Sequence, residues 1–269
     1  MRALVTGGAG FIGSHLVDAL VARGDQCTVI DDLSRGDLAN LAGHGDRVRV
    51  IRGSVTDADL MRDALAGQEV IFHLASVVGV ASTIADPTRV IDVAVNGTLN
   101  VLRAADAGAA IVVASSSEVY GRSLDCPFDE VTPSLIGAPS APRWSYAHAK
   151  ACSEHLALDA AGSRDLAPTV VRYFNVYGPR MARQDPSVLS RFLDAARAGD
   201  DLEVHGDGAQ TRSFVYVQDA VDGTLAAGVR GRGQVVNLGG PAEISIADLA
   251  ALVLRVTGTT ARVQYRRKP

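Results

Sequence analysis

A tyrosine and a lysine stand four residues apart in the stretch "SYAHAK", as Tyr146 and Lys150. On a helix, this spacing places the two side chains on one face. A phenol with a pKa of about 10 is a poor base at neutral pH, but a nearby ammonium favours its phenolate. The pair therefore predicts a general base, Tyr146, tuned by Lys150. Tyr-x-x-x-Lys spacing is common, so the alternative is that the two residues are simply an exposed pair on a helix. The other motifs decide between the two interpretations.

Three glycines, Gly7, Gly10 and Gly13, are spaced three apart between a short apolar run and a helical pattern. Small residues let the backbone approach a pyrophosphate, and a helix N-terminus favours its negative charge. Asp31 lies 18 residues after Gly13, close to the spacing of a carboxylate that binds ribose hydroxyls. Such an acid repels a 2′-phosphate, so the pattern predicts NAD rather than NADP as the cofactor. Asp32 is the competing acid.

The two motifs fit one reaction. An oxidised nicotinamide would further favour the phenolate of Tyr146, which could then take the proton of a sugar hydroxyl while Lys150 binds the cofactor ribose. A third polar stretch, "SSSEVYG" at Ser115 to Gly121, follows the apolar run "AAIVVA". It places serines and a glutamate at the end of a buried strand.

Apolar runs alternate with amphipathic helical patterns from the first residue to about Phe174. The runs predict strands in "ALVT", "QCTVID", "RVRVIR", "EVIFHLA", "AIVVAS" and "PTVVRYF". Helices are predicted between them, including a long one over about 89–107. This alternation is typical of a parallel sheet covered by helices on both faces. We therefore predict an α/β fold in which residues 1–174 form a doubly wound parallel Rossmann sheet that binds NAD.

The alternation of strand and helix patterns becomes less regular after residue 174. Two helical patterns there are accompanied by short strand patterns such as "LEVHG", "RSFVYV", "VNLGG" and "ARVQY". We interpret residues 175–269 as a smaller C-terminal lobe that is interleaved with the core and binds the substrate. Open α/β sheets bind ligands at the carboxyl ends of their strands, and we expect the lobe to lie there. Because the chain stops just after a strand, we expect that a terminal helix is missing.

The composition limits the classes of function. A net charge of −4 does not provide the basic field of a nucleic-acid-binding surface, and no apolar run reaches the roughly 18 residues of a membrane span. Cys27, Cys126 and Cys152 are scattered, which fits neither a disulfide framework nor a zinc site. We expect a cytoplasmic protein with no metal, signal peptide, membrane segment or nucleic-acid partner.

Taken together, the motifs make the chain similar to the extended short-chain dehydrogenases/reductases, in the group of NAD-dependent nucleotide-sugar epimerases, dehydratases and decarboxylases. The resemblance covers nearly the whole chain and rests on "TGGAGFIGSHL", "VIFHLAS", "VNGTLNVL", "SSSEVYG", "YAHAK", "RYFNVYGPR" and "GDGAQTRSFVYVQDA". It implies a Rossmann core with a lobe that binds a nucleotide sugar, above all a UDP-sugar. It also implies a homodimer through the two long helices near 89–107 and 145–162.

The resemblance further implies roles for individual residues. Ser116 would hydrogen-bond the reacting oxygen beside Tyr146, and Asn175 and Arg212 would contact the diphosphate region of the sugar nucleotide. The cofactor would be held by Gly7, Gly10, Phe11, Ile12, Gly13, Asp31, Leu74, Ala75, Ser76, Tyr146 and Lys150.

The glutamate behind the serines distinguishes the reactions of this group. All of them begin with oxidation of the sugar at C4 and differ in what then reaches the ring. "SSSEVYG" resembles the UDP-glucuronate decarboxylase pattern, in which Ser117 and Glu118 follow the catalytic hydroxyl. The 4,6-dehydratases carry Asp-Glu at these two positions, and 4-epimerases usually have no glutamate there.

We therefore expect UDP-glucuronate decarboxylation, with a UDP-sugar 4-epimerase and then a nucleotide-sugar 4,6-dehydratase as the alternatives. The residues expected to be catalytic are Tyr146, Lys150, Ser116, Ser117 and Glu118. A non-catalytic, NAD-sensing regulator on the same fold is the alternative of another class. A lost tyrosine or lysine would mark it, and this chain keeps both.

Overall fold

The chain folds around a parallel sheet of seven strands in a computed structural model that describes residues 1–163, 165–181, 187–231 and 233–267. The strands are β1 (Arg2–Thr6), β2 (Gln26–Asp31), β3 (Val48–Arg52), β4 (Val70–His73), β5 (Ala110–Ser116), β6 (Thr169–Tyr173), β7 (Asn175–Tyr177), β8 (Leu202–His205), β9 (Thr211–Tyr216), β10 (Val235–Leu238), β11 (Glu243–Ser245) and β12 (Val263–Arg266). The main sheet has the order β10-β6-β5-β4-β1-β2-β3, with every pair parallel. The strand order reverses between β1 and β4, so the predicted doubly wound α/β fold is confirmed.

Helices cover both faces of this sheet. On one face, α1 and α8 pack through residues such as Leu16 and Val221. On the other face, α2, α5 and α6 contribute Met61, Val101 and Ala157. In the described ranges, none of the helices is long and apolar enough to cross a membrane. The helices are α1 (Phe11–Ala22), α2 (Ala58–Leu65), α3 (Val80–Ala85), α4 (Pro87–Ile91), α5 (Gly97–Ala104), α6 (Ser145–Ser163), α7 (Val188–Ala198), α8 (Val217–Arg230) and α9 (Ile246–Thr257).

The long helix predicted over about 89–107 is interrupted. A π-helical turn, Asp92–Asn96, joins α4 to α5. The carbonyl of Ala94 in this turn accepts hydrogen bonds from the hydroxyls of Thr98 at 2.6 Å and Ser153 at 2.9 Å. Side-chain donors that enter the backbone ladder open a helix locally, and here they also join the turn to α6.

The C-terminal lobe has a small core of its own. Two minor sheets, with strand orders β11-β9-β7 and β12-β8, pack with α7 and α9. Phe192, Leu202, Leu249 and Val253 are fully or almost fully buried between these elements.

The lobe and the main sheet are interleaved along the chain. The segment "VNLGG", which the sequence pattern placed in the lobe, supplies β10, which pairs with β6 at the edge of the main sheet. Helix α8, which the pattern did not identify, packs against α1 and β5. Its glycines allow this close approach, because a Cβ at Gly228 would lie 3.1 Å from the ring of Phe72.

Candidate active site

A cavity of about 340 Å³ opens at the carboxyl ends of the central strands. It is lined by segments that follow β1, β2, β4, β5 and β6 and by one face of α6. Residues from distant parts of the sequence therefore meet at one edge of the sheet, as expected for a doubly wound fold. The lining includes all the residues expected at the cofactor, together with Ser116: Gly7, Gly10, Phe11, Ile12, Gly13, Asp31, Leu74, Ala75, Ser76, Tyr146 and Lys150.

The glycine turn between β1 and α1 has no room for side chains. Gly7 has φ +72°, which favours glycine, and a Cβ there would lie 2.9 Å from the backbone nitrogen of Ala75. A Cβ at Gly13 would lie 2.1 Å from the carbonyl oxygen of Gly7. Helix α1 begins directly after Gly10, and no side chain caps it. The first-turn N–H groups of such a helix are left to bind an anion.

The acid at the end of β2 is held by backbone groups. The carboxylate of Asp31 accepts hydrogen bonds from the N–H groups of Ala9 at 3.0 Å and Leu33 at 2.9 Å. Burial raises the pKa of Asp31, while these two hydrogen bonds oppose the rise. The competing acid, Asp32, is instead paired with Arg89 at 3.2 Å. The binding of ribose hydroxyls by Asp31 stays a prediction, with Asp32 as the competing acid.

The tyrosine and lysine of α6 face the cavity together. The Nζ of Lys150 lies 5.9 Å from the centre of the Tyr146 ring and donates to the carbonyl of Ala114 on β5 at 2.7 Å. Burial lowers the pKa of Lys150 to about 8, while the charge of Glu154 opposes the shift. Burial raises the pKa of Tyr146 to about 12. The phenol thus needs further positive charge, such as an oxidised nicotinamide, before it can act as a base.

Two serine hydroxyls lie beside this phenol. Ser116, at the end of β5, lowers the pKa of Tyr146 by hydrogen bonding. Ser76 also lies close enough to lower that pKa slightly, but its buried Oγ has no partner at good hydrogen-bond geometry among the described residues. A buried hydroxyl without a partner is costly, and a polar group bound in the cavity could satisfy it.

The glutamate of "SSSEVYG" lies outside the cavity lining. Ser117 and Glu118 begin a 3-10 turn, which Ser116 caps by accepting a hydrogen bond from the Glu118 N–H at 3.2 Å. The side chain of Glu118 is half exposed, and its carboxylate lies 3.8 Å from the guanidinium of Arg143. Its negative charge raises the pKa of Tyr146, which places it near the phenol.

The two residues expected at the sugar nucleotide are not brought to this cavity. On β7, the amide of Asn175 donates to the carbonyl of Ser213 at 3.0 Å. On β9, the exposed guanidinium of Arg212 donates to the carbonyl of Thr211 at 2.7 Å. Their contact with a diphosphate stays a prediction.

Sequence reasoning missed several residues of the site. Phe174 and Val176 line the cavity, and their position directly after β6 could have identified them. A buried ion pair between Glu154 and Arg172, at 2.7 Å, lies beneath the tyrosine and lysine. Its sequence signal is the glutamate four residues after Lys150.

A model of the NAD dependent epimerase/dehydratase family matches residues 3–239 of the chain. The chain belongs to this family. It is therefore an enzyme that uses NAD, and the cavity fits this cofactor. Two observations support this fit. Side chains at Gly7 and Gly13 would clash with backbone atoms beside the N-terminus of α1, where an anion can bind. The buried hydroxyl of Ser76 has no hydrogen-bond partner at good geometry among the described residues.

Relatives within the NAD-dependent epimerase/dehydratase family include decarboxylases and epimerases. The UDP-N-acetyl-alpha-D-glucosaminuronate decarboxylase of Bacillus cytotoxicus is 41% identical over 98% of this chain and 83% of its own length. UDP-glucuronic acid decarboxylase 1 of Arabidopsis thaliana is 36% identical over 99% of this chain, which spans 60% of that protein. The structure of UDP-glucose 4-epimerase from Thermotoga maritima, solved with UDP-glucose, has a TM-score of 0.91 at 31% identity. The match covers 100% of this chain and 86% of the epimerase chain.

Proposed function

We propose that this chain decarboxylates a UDP-uronic acid. The observation that carries the proposal is Glu118, placed directly behind Ser116 and close enough to Tyr146 to act on its pKa. The two decarboxylases named above support it. Ser117 stands where a dehydratase would need an aspartic acid to protonate a leaving C6 hydroxyl.

The chemistry begins at the C4 hydroxyl of the sugar. NAD, when bound, supplies the acceptor and later the donor of a hydride at C4. Tyr146 takes the C4 hydroxyl proton, and Ser116 hydrogen-bonds the same oxygen. Oxidation at C4 makes the uronate a β-keto acid. The C5–C6 bond then breaks, its electron pair passes toward the C4 carbonyl, and carbon dioxide leaves. A proton taken up from solvent is added at C5 in place of the carboxyl group, and Tyr146 returns its proton to the C4 oxygen.

Charge balance explains the pair formed by Glu118 and Arg143. A uronate brings a second carboxylate toward a site that already holds Glu118. Arg143, stacked 4.6 Å from the centre of the Trp144 ring, lies beside Glu118 and offsets its charge. Because both side chains are half exposed, we assign the pair to orienting the uronate for the decarboxylation step rather than to stability.

Mass spectrometry of the products tests this proposal. The protein is incubated with NAD and, separately, with UDP-N-acetylglucosaminuronate, UDP-glucuronate and UDP-glucose. Loss of one carbon dioxide from a uronate is the expected result, and the first substrate is included because the Bacillus relative acts on it. Unchanged mass with inverted C4 stereochemistry would identify an epimerase, a reaction that the Thermotoga neighbour makes plausible. Loss of water from UDP-glucose would identify a dehydratase.

We further propose a homodimer through the long helices. Within these helices, Ile91 on α4 and Leu158 on α6 expose 45% and 39% of their surface, and a second copy of the chain would cover this apolar surface. Light scattering should give twice the chain mass, and Ile91→Glu should reduce it to that of one chain. A monomeric wild-type protein would contradict this assignment.

We also propose that the protein works in the cytoplasm. Cys27, Cys126 and Cys152 are all unpaired in the structure, which suits a reducing compartment. Fractionation of the cells that make the protein is the direct test, and recovery with secreted proteins would contradict it.

A further inference from the structure

A buried ion pair lies beneath the cavity, one helical turn beyond Lys150. Glu154 on α6 and Arg172 on β6 expose 6% and 8% of their surface. The guanidinium donates twice to the carboxylate, from Nε at 2.9 Å and from Nη2 at 2.7 Å. Such a pair is costly to desolvate unless its remaining polar groups are also satisfied.

The remaining polar groups join this pair to both sides of the site. The hydroxyl of Ser115, the residue before Ser116, donates to Glu154 at 2.5 Å. Nη1 of Arg172 donates to the hydroxyl of Tyr120 at 2.9 Å. One carboxylate therefore connects the helix that carries the tyrosine and lysine to the strand end that carries the serines.

Charged and titratable groups face Lys150 from several elements. From α6 come Tyr146 and Glu154. Arg172 on β6 is joined to them through its ion pair with Glu154. From β4 comes His73, which lies between the hydroxyls of Thr6 and Thr98. Burial lowers the pKa of His73 to about 3, so the imidazole is neutral. Glu154 thus supplies negative charge close to the buried ammonium, because the two side chains lie one turn apart on α6 and bind the neighbouring β5 residues Ser115 and Ala114.

Lysine is rare in this chain, which makes a buried lysine at position 150 unusual. Of its 26 basic residues, only Lys150 and Lys268 are lysines. Arginine stays charged wherever it is placed, whereas a buried lysine readily loses its proton. A lysine at position 150 therefore needs a nearby anion if it is to stay charged in a dry site.

We propose that Glu154 is a positioning residue that keeps the buried ammonium of Lys150 charged. Arg172 holds the Glu154 carboxylate in place and limits its attraction for the ammonium. The inference depends on the proposed role of Tyr146 and Lys150. It does not depend on which sugar is the substrate.

The sparse lysines allow a direct test on the full chain. In a Lys268→Arg background, Lys150 is the sole lysine, and labelling with [ε-13C]lysine gives a single NMR signal that can be titrated without substrate. We expect Glu154→Gln to lower the titration midpoint of Lys150 by about one pH unit or more. Arg172→Gln should raise the midpoint, because the ammonium then becomes the nearby cation of the carboxylate. Ser115→Ala, which removes a hydrogen bond but no charge, should shift it least.

Opposite shifts separate this role from a structural one. Loosened packing alone would move the midpoint of both charge variants toward the ordinary lysine value. An unchanged midpoint in folded Glu154→Gln protein would overturn the proposal. Breaking a buried pair is destabilising, so folding is checked by circular dichroism. Should Glu154→Gln not fold, Arg172→Gln is compared with Ser115→Ala. A rise in Arg172→Gln alone supports the proposal, whereas no rise, or an equal rise in both variants, overturns it. A failure to decarboxylate uronates would leave this titration unaffected, so the two proposals fail separately.

Discussion

The two ends of the candidate site are built differently. At the cofactor end, Gly7, Asp31 and Lys150 are fixed by backbone contacts and by burial. Glu118 and Arg212, which are predicted to act on the sugar nucleotide, are exposed, and their side chains contact Arg143 and the carbonyl of Thr211. The backbone can thus fix the residues for a reaction step that a whole family shares. Exposed side chains, which can be replaced without disturbing the fold, can then determine which substrate is used.

Removal of the phenol should have the largest effect, because it acts where the two ends meet. We expect Tyr146→Phe to lower kcat on the decarboxylated uronate by about 10³-fold, within the usual contribution of a general base, with NAD binding retained. Product formation and NAD affinity measure the two effects. Tyr265→Phe, at an exposed position of β12, is the control, and an active Tyr146→Phe enzyme would refute the assigned base.

A methyl group in the glycine turn should disable the cofactor end. In Gly13→Ala the new Cβ would lie 2.1 Å from the Gly7 carbonyl oxygen, so the turn must open. We expect NAD affinity to fall about 100-fold, equivalent to about 3 kcal/mol, by calorimetry. Gly162→Ala on α6, where the new Cβ meets no atom of another element within 4 Å, should bind NAD normally. Normal binding by Gly13→Ala would contradict the assigned pyrophosphate site.

A change at the sugar end should instead distinguish between substrates. We expect Glu118→Gln to reduce uronate decarboxylation about tenfold or more, while the rate of NADH formation from a uronate falls much less, because oxidation at C4 does not need Glu118. Rapid-scan absorbance separates the two steps. Glu69→Gln, an exposed glutamate at the other end of the sheet, is the matched control. An equal loss of both rates would show that Glu118 acts on oxidation or binding.

The smallest effect concerns stability and its dependence on pH. The pKa of Lys150 is lowered from 10.5 to about 8 in the folded chain. Between these values the unfolded chain binds more protons, so the free energy of unfolding rises with pH in this window. We expect wild type to gain about 2 kcal/mol relative to Lys150→Met between about pH 7.5 and 9.5, by urea unfolding. A constant difference would show that Lys150 titrates normally.

The cofactor end could be predicted from the sequence because its residues belong to short linear motifs. The glycine spacing and the following acid depend on local strand and helix geometry, so the fold class followed from the same patterns. The pairing of Glu154 with Arg172 could not be predicted, since it joins α6 to β6 across the interior. Helix α8 was missed because its small residues, including Gly223 and Gly228, weaken the helical pattern.

The interleaving of the two regions limits how the enzyme can be divided. A chain cut after residue 174 would lose β10 and α8, leaving one edge of β6 unpaired and apolar side chains such as Phe72 in contact with water. Exchange of the C-terminal lobe between members of the family must therefore keep these two elements with their original sheet. An exchange between two members of the family should therefore transfer separate surface segments of the lobe, rather than one continuous length of chain.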